Sequence, residues 1–310
     1  MRLTGGQSVL GVVGVFVFFT ISGFLVTQSF ENTRSPFRFA IKRALRIYPG
    51  LLVCLLVSAF VMGPWLTDRP LSAYFADPET YLYVTTNFAM VMATHSLPGV
   101  SFSGFGVGSI IDGPFWTLPC EIMMYLMVLA LGVLRWLDLR LVIALIALGL
   151  VGIWFDTSSS DYVIGSALWL LGFFAAGMAL YLSRDKGALR WPFALLAVAG
   201  LVISVPLHAF ILCFPIFGSY LVIYLALVPL PSIKAARFGD LSYGLYIYGW
   251  PVEQVIVRLH GGTMSWQSLF AEALPATAAI AFLSWHFVEA PALRLKPTNA
   301  TRAESRIMAL

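Results

Sequence analysis

Apolar residues fall in long unbroken blocks rather than in the short alternations of soluble strands or the one-sided stripes of soluble helices, and nine blocks are long enough to be read as membrane crossings. They cover about residues 9–29, 50–64, 115–134, 141–155, 162–182, 191–207, 209–229, 242–258 and 269–289. A helix needs about 20 residues to cross roughly 30 Å of hydrocarbon, and fewer where neighbours shield it. The pattern therefore predicts an all-α polytopic membrane bundle of about nine helices, with links rich in Gly, Pro, Asp and Ser as turns are. Residues Tyr81 to Leu97 are apolar enough for a tenth crossing. Counting them would place one of two basic groups on the wrong side, so they are predicted to form an external re-entrant or surface segment whose backbone protein covers.

Composition narrows this picture. The chain is 59% hydrophobic and 11% charged, whereas charged residues make up about a quarter of a soluble domain. No hydrophilic block is long enough for a second domain, so residues 1–295 are expected to be one membrane domain and 296–310 a short cytoplasmic tail. Of nineteen lysines and arginines, sixteen fall on one side of the nine predicted crossings; the other side receives Arg2, Arg69 and Arg258. The positive-inside rule makes the basic side cytoplasmic, which puts the C-terminus in the cytoplasm and the N-terminus outside. The net charge of +4 is then a topology signal, and no nucleic-acid partner is inferred from it. Cys54, Cys120 and Cys213 sit at unrelated spacings that suit neither a disulfide framework nor a metal site. The first apolar run is long enough to span and lacks a cleavage site, so no signal peptide is expected.

Three places carry residues that are costly to keep in a membrane. Arg38, Lys42 and Arg46 repeat every four residues and Arg43 lies three before Arg46, so a helix would give them overlapping faces. With Pro49 read as the first residue of the next crossing, they form a basic ledge at its cytoplasmic mouth. That ledge is either an anchor to anionic lipid headgroups or a site for a polyanionic ligand, since arginine pairs bind phosphates bidentately. Glu121 lies about two turns inside its crossing, where a carboxylate faces a cavity or a partner and is a functional candidate by default. The run Gly239 to Pro251 brings Tyr243, Tyr246, Tyr248 and Trp250 into one crossing, either as interfacial anchors or, with Gly244 and Gly249 between them, as a closely packed wall beside a cavity. Glu289 ends the last crossing, with Arg294 as its expected partner. His95, His208, His260 and His286 share no metal-ligand spacing, and neither a phosphate loop nor a serine-nucleophile elbow is present.

In order along the chain, Phe18-Phe-Thr-Ile-Ser-Gly-Phe-Leu25, Lys42-Arg-Ala-Leu-Arg-Ile-Tyr-Pro49, Trp116-Thr-Leu-Pro-Cys-Glu121, Leu241-Ser-Tyr-Gly-Leu-Tyr-Ile-Tyr-Gly-Trp-Pro251 and Phe287-Val-Glu-Ala-Pro291 resemble the motifs of the membrane-bound acyltransferase 3 family. Gly249 stands where a histidine is common in that family. The resemblance implies transfer of an acyl group, commonly acetyl, from a coenzyme A thioester to a hydroxyl on a saccharide or other envelope acceptor. No bound cofactor or metal is implied; acyl-CoA enters as donor substrate. Lys42, Arg43 and Arg46 would steady the donor's negative charge from the cytoplasmic side. Glu121 would orient or polarise reacting groups, and Ser22, Tyr48, Trp116, Tyr243 and Tyr246 would line the path of the substrates. The family usually begins with a further helix bearing a histidine regarded as the essential base, and this sequence starts after that point. The resemblance thus implies either a start placed too late or an inactive truncated member. A transporter or flippase of an envelope precursor is the alternative that would use the same basic mouth and buried glutamate without chemistry.

Overall fold

Each of the nine predicted crossings forms helix over most of its length in the computed structural model, which describes residues 4, 6–33, 35–90, 96–102, 108–157, 163–187, 189–228 and 239–297. In chain order the helices are α1 (Leu10–Thr33), α2 (Pro36–Leu66), α3 (Leu71–Ala76), α4 (Pro78–Ala89), α5 (Thr117–Val133), α6 (Leu139–Trp154), α7 (Ile164–Leu182), α8 (Trp191–Ser204), α9 (Phe210–Cys213), α10 (Phe217–Leu227), α11 (Ser242–Leu259) and α12 (Trp266–Arg294). Among the described residues there is no strand. Among the described residues, five segments are long and apolar enough to cross a bilayer: α1, α2, Gly113–Val133, α7 and α12. The apolar helices α6, α8 and α10 are shorter. Pro215 follows α9 and has no N–H to donate to a helical hydrogen bond, which breaks the run 209–229 into two helices.

The start of the second crossing is a correction. Pro36 takes the first helical position, where its fixed φ is pre-set and its missing N–H is not needed, and α2 then runs without interruption through Arg38, Lys42, Arg43 and Arg46. Pro49 lies inside α2 rather than at its start. Such a proline is tolerated in apolar helices whose neighbours re-satisfy the freed backbone groups. The Tyr81 to Leu97 stretch is not one continuous helix. Asp77 caps α4 by accepting from Glu79 N, and α4 ends at Ala89 because Met90 turns left-handed. Twelve residues rise only about 18 Å, too short for a crossing; residues 91–95 lie outside the described residues. The tail beyond residue 297, Arg34 and His95 also lie outside them.

The chain divides into two units, one of residues 1–39 and 120–231, the other of 40–119 and 232–310. In the first, α7 packs against α1 and α6. Glycines let those backbones meet: a Cβ at Gly23 would run into the Phe174 carbonyl, one at Gly177 into the Thr20 carbonyl, and one at Gly149 into the backbone of Gly172. Close approach through small residues is how helices associate in lipid, where no hydrophobic drive separates them from the solvent. Phe16 and Phe173 stack at 4.1 Å beside Trp169 and Phe214. Thr20 and Ser219 share a buried hydrogen bond of 2.8 Å.

In the second unit α11 packs on α12, with Gly244 facing Ala281. Two π turns interrupt the helices, Ser58–Met62 within α2 and Trp285–Glu289 within α12. At the first, Tyr74 Oη donates to the Ala59 carbonyl at 2.7 Å, an acceptor that the wider turn leaves available. Trp154, Phe155, Trp191 and Phe287 are among the exposed large apolar residues, as lipid-facing positions require.

Candidate functional site

The basic face of α2 meets the ends of α11 and α12 in the second unit. Arg46 Nη2 donates to Asp240 Oδ2 at 2.7 Å and to Ser242 Oγ at 3.4 Å, while Nη1 donates to Glu289 Oε2 at 3.5 Å. Asp240 is half exposed, whereas Glu289 is 2% exposed. The π turn brings Glu289 to this position, and Ser284 Oγ donates to its other oxygen at 3.0 Å. Glu289 therefore pairs with Arg46 rather than with Arg294, the partner expected from sequence proximity. The pairing is long-range, and no local spacing encodes it.

Tyr243 closes the floor of this cluster. Its hydroxyl donates to the Ile47 carbonyl at 2.8 Å and its ring lies 5.7 Å from the Arg46 guanidinium carbon. Gly50 makes room for it, since a Cβ there would come within 2.9 Å of the tyrosine ring. Lys296, just beyond α12, completes the cluster: burial, then the charges of Arg43, Arg46 and Lys42, pull its ammonium below the usual lysine range, with Asp240 opposing them. A depressed lysine beside three other cations marks a field that favours anions. Lys296 was not among the sequence candidates, because its place is set by the fold of α12 and not by α2 periodicity.

The other candidates stand elsewhere. Tyr246 Oη donates to the Pro114 carbonyl at 2.8 Å and shares a short hydrogen bond with Thr117, next to Trp116 in the 3-10 turn Gly113–Trp116. Trp250 Nε1 donates to the Ile110 carbonyl at 3.1 Å, and Gly113 lies under its indole. The aromatic run of α11 thus fastens the segment ahead of α5. Gly244 serves close packing as expected, but Gly249 faces open space. Tyr48 meets Phe88 edge-on at 5.1 Å. In the first unit, Glu121 is 4% exposed on α5 and accepts a short hydrogen bond from Tyr125, one turn on. Ser22 is buried on α1.

Asp112, fully buried ahead of α5, was missed altogether. The signal that could have found it was its place between an apolar stretch and the Gly-Pro that opens the next helix.

Comparison with known proteins agrees with this arrangement of motifs. The sequence profile of the acyltransferase 3 family, described as an acyltransferase domain, matches residues 2–289. An O-acetyl transferase of Shigella phage Sf6 is 28% identical over 90% of this chain and 84% of its own length. Nodulation protein 10 of Rhizobium leguminosarum bv. viciae is 30% identical over 93% of this chain and 84% of its own. The peptidoglycan O-acetyltransferase OatA of Listeria monocytogenes serovar 1/2a is 24% identical over 91% of this chain but 51% of its own. No solved structure gives a significant match. A profile match over nearly the whole length, with the motif residues folded as described, makes the chain a member of the acyltransferase 3 family, an enzyme that transfers acyl groups.

Proposed function

We propose that the enzyme moves an acetyl group from a coenzyme A thioester to a hydroxyl of a cell-envelope saccharide, at the bacterial plasma membrane and with its C-terminus in the cytoplasm. The observation that carries this reading is the cation cluster of Lys42, Arg43, Arg46 and Lys296 at one end of α2. Coenzyme A carries a diphosphate and a further phosphate on its nucleotide end, and such a cluster matches them in charge and in bidentate geometry. Two relatives named for O-acetyl transfer, one of them acting on peptidoglycan, support acetyl as the group and a saccharide as the acceptor.

In the reaction the acceptor oxygen attacks the thioester carbonyl, the C–O bond forms, the C–S bond breaks, and the hydroxyl proton ends on sulfur. Arg43, Arg46 and Lys42 hold the donor phosphates. Asp240 and Glu289 fix the Arg46 fork before the donor arrives, so little side-chain freedom is lost on binding. Glu121 orients or polarises the reacting groups from its buried position on α5. Ser22, Tyr48, Trp116, Tyr243 and Tyr246 contact the substrates, the two α11 tyrosines through their rings because their hydroxyls are already engaged.

The test is transfer of radiolabelled acetyl from acetyl-CoA into saccharide by membrane vesicles carrying the enzyme. Label should appear in the saccharide fraction, and Arg43→Gln should raise the donor KM about tenfold or more, as expected for loss of one phosphate contact. Unchanged donor kinetics would overturn the donor site, and saccharide crossing the vesicle without gaining label would favour transport over chemistry.

A further inference from the structure

The first unit keeps a hollow that plays no part in the acyl-transfer reading. It holds about 540 Å³ where the start of α8 meets the end of α10, within the range of small-ligand sites. Leu189, Leu227 and Val228 form its apolar lining, and Arg190, Trp191 and Tyr224 bring polar and aromatic groups to it. The backbone at Arg190 is fixed. Tyr220 Oη accepts from Arg190 N at 2.8 Å and donates to the Arg190 carbonyl at 2.9 Å, and the Tyr220 ring stacks on Tyr224 with centres 6.1 Å apart. Leu189 packs on the buried group of Phe24, Tyr181 and Ile223. The hollow is thus built into the packing of two helices.

Its polar groups are not consumed by the fold. Earlier in the same link, Arg184 reaches Glu31 at 3.8 Å and Asp185 at 3.5 Å, and covers the Tyr181 ring at 3.9 Å. The exposed Arg190 side chain has no such partner among the described residues, nor has the Tyr224 hydroxyl. No acid is found among the described residues that line the hollow. A guanidinium fork and a phenol beside three aliphatic side chains suit an anion that carries an apolar body. The cluster around Arg46 differs in kind, because it gathers four cations and matches a polyanion, whereas one unpaired arginine matches a single charge.

Place in the membrane narrows the class. The flanking links 183–190 and 230–241 are basic, so the hollow opens on the side assigned to the cytoplasm. Trp191 and Leu227 are exposed at its rim, as residues are that sit between headgroups and acyl chains. The fourteen residues of α8 rise only about 21 Å, well short of roughly 30 Å of hydrocarbon. A short element draws the bilayer inward around it, and headgroups then descend to the level of its first residue. We propose that the hollow binds one anionic phospholipid of the cytoplasmic leaflet, its phosphodiester held by Arg190 and Tyr224 and its first acyl carbons lying on Leu189, Leu227 and Val228. Basic pockets between helices on that side of a membrane take anionic headgroups in this way. Bound there, the lipid ties the start of α8 to the end of α10.

The test uses the full chain in neutral detergent micelles, titrated with phosphatidylglycerol, phosphatidylcholine or inorganic phosphate. Native mass spectrometry counts the lipid retained, and thermal unfolding reads stabilisation, since a ligand of the folded state raises Tm as its site fills. Wild type should retain one phosphatidylglycerol that phosphatidylcholine does not replace, with a rise in Tm, and inorganic phosphate should give no such rise. Arg190→Gln should weaken retention about tenfold or more, the scale for a hydrogen bond to a charged group. Arg190→Lys keeps the charge but loses the fork and should fall between. Leu227→Trp fills the hollow without touching Arg190 and should also lose the lipid. Equal retention by wild type and Arg190→Gln would overturn the site. So would phosphatidylcholine binding as well as phosphatidylglycerol, which is the mark of ordinary boundary lipid, or a Tm rise with inorganic phosphate as large as with the lipid, which is the mark of a small-anion site. If Arg190→Gln does not fold, Leu227→Trp decides: loss of the lipid supports the proposal and retention like that of wild type overturns it. Acetyl transfer is not among these readouts, so failure of the acyl-transfer reading would leave this inference standing.

Discussion

Arg46→Met should be the most destabilising single substitution in the cation cluster, and a second substitution should recover most of the loss. Arg46 Nη1 stands 3.5 Å from Glu289 Oε2, with the arginine 21% and the glutamate 2% exposed. At an effective dielectric constant near 20, unit charges about 3.5 Å apart attract by roughly 5 kcal/mol. Removing a buried carboxylate from water offsets much of that, so the net value of the intact pair is small. Stranding the carboxylate beside Ser284 is worse than never having formed the pair, so Arg46→Met should lose about 3 kcal/mol or slightly more. Adding Glu289→Gln removes the stranded charge and should return about 2 kcal/mol. Asp240→Asn breaks the shorter contact of 2.7 Å, but Asp240 is 51% exposed, and screening should hold its effect below about 1 kcal/mol. The assay is a double-mutant cycle on equilibrium unfolding in mixed micelles, followed by tryptophan fluorescence. Equal instability of Arg46→Met and the double variant, or an Asp240→Asn loss as large as that of Arg46→Met, would refute the reasoning.

Glu121→Gln should lower kcat for acetyl transfer about 10²-fold in protein that elutes from gel filtration like the wild type. Tyr125→Phe, which removes the donor to Glu121, should have a smaller effect in the same direction. The Lys296 ammonium is held below the usual lysine range, so between its folded and unfolded pKa values the unfolded chain binds more protons and stability rises with pH. Lys296→Gln should flatten that rise in unfolding curves taken across alkaline pH, and titration with acetyl-CoA should show weaker donor binding. Gly177→Leu forces a side chain into the Thr20 carbonyl and should cost about 2–3 kcal/mol. Gly11→Ala, with nothing within 4 Å, should stabilise α1 by about 0.5–1 kcal/mol; thermal melts of the two variants would separate packing from propensity.

Much of the architecture was legible because lipid imposes one rule on every crossing: a long apolar block must be helical to satisfy its own backbone. The block pattern therefore located the helices. It failed at the start of the second crossing, since Pro49 read as its first residue although the basic stretch before it, with helix-forming Ala, Leu and Ile among the cations, belongs to the same helix. Charge argues for water, but a helix can hold a basic face at its end, and α2 does so from Pro36 onward. At the candidate site, the four-residue spacing of the cations drew notice to the part of α2 where Arg46 meets Asp240 and Glu289. Nothing local pointed to Glu289, Asp240 or Lys296 as its neighbours, because Asp240 lies 194 and Glu289 243 residues from Arg46 in sequence, with Lys296 farther still. Asp112 escaped for a different reason: a single aspartate before Gly-Pro reads as a turn former, and only burial reveals that it is something else.

The π turn at Trp285–Glu289 makes the closing motif a counted length as well as a set of residue types. Each residue of an α-helix advances about 100° around the axis. Deleting one residue between Ser284 and Glu289 would let the turn relax to ordinary helix and swing the carboxylate to a neighbouring face, away from Arg46 and out toward lipid. Phe287, 76% exposed, can change its identity among apolar residues at little consequence. In this segment spelling is loose and spacing is strict, so insertions and deletions should be far less tolerated there than substitutions.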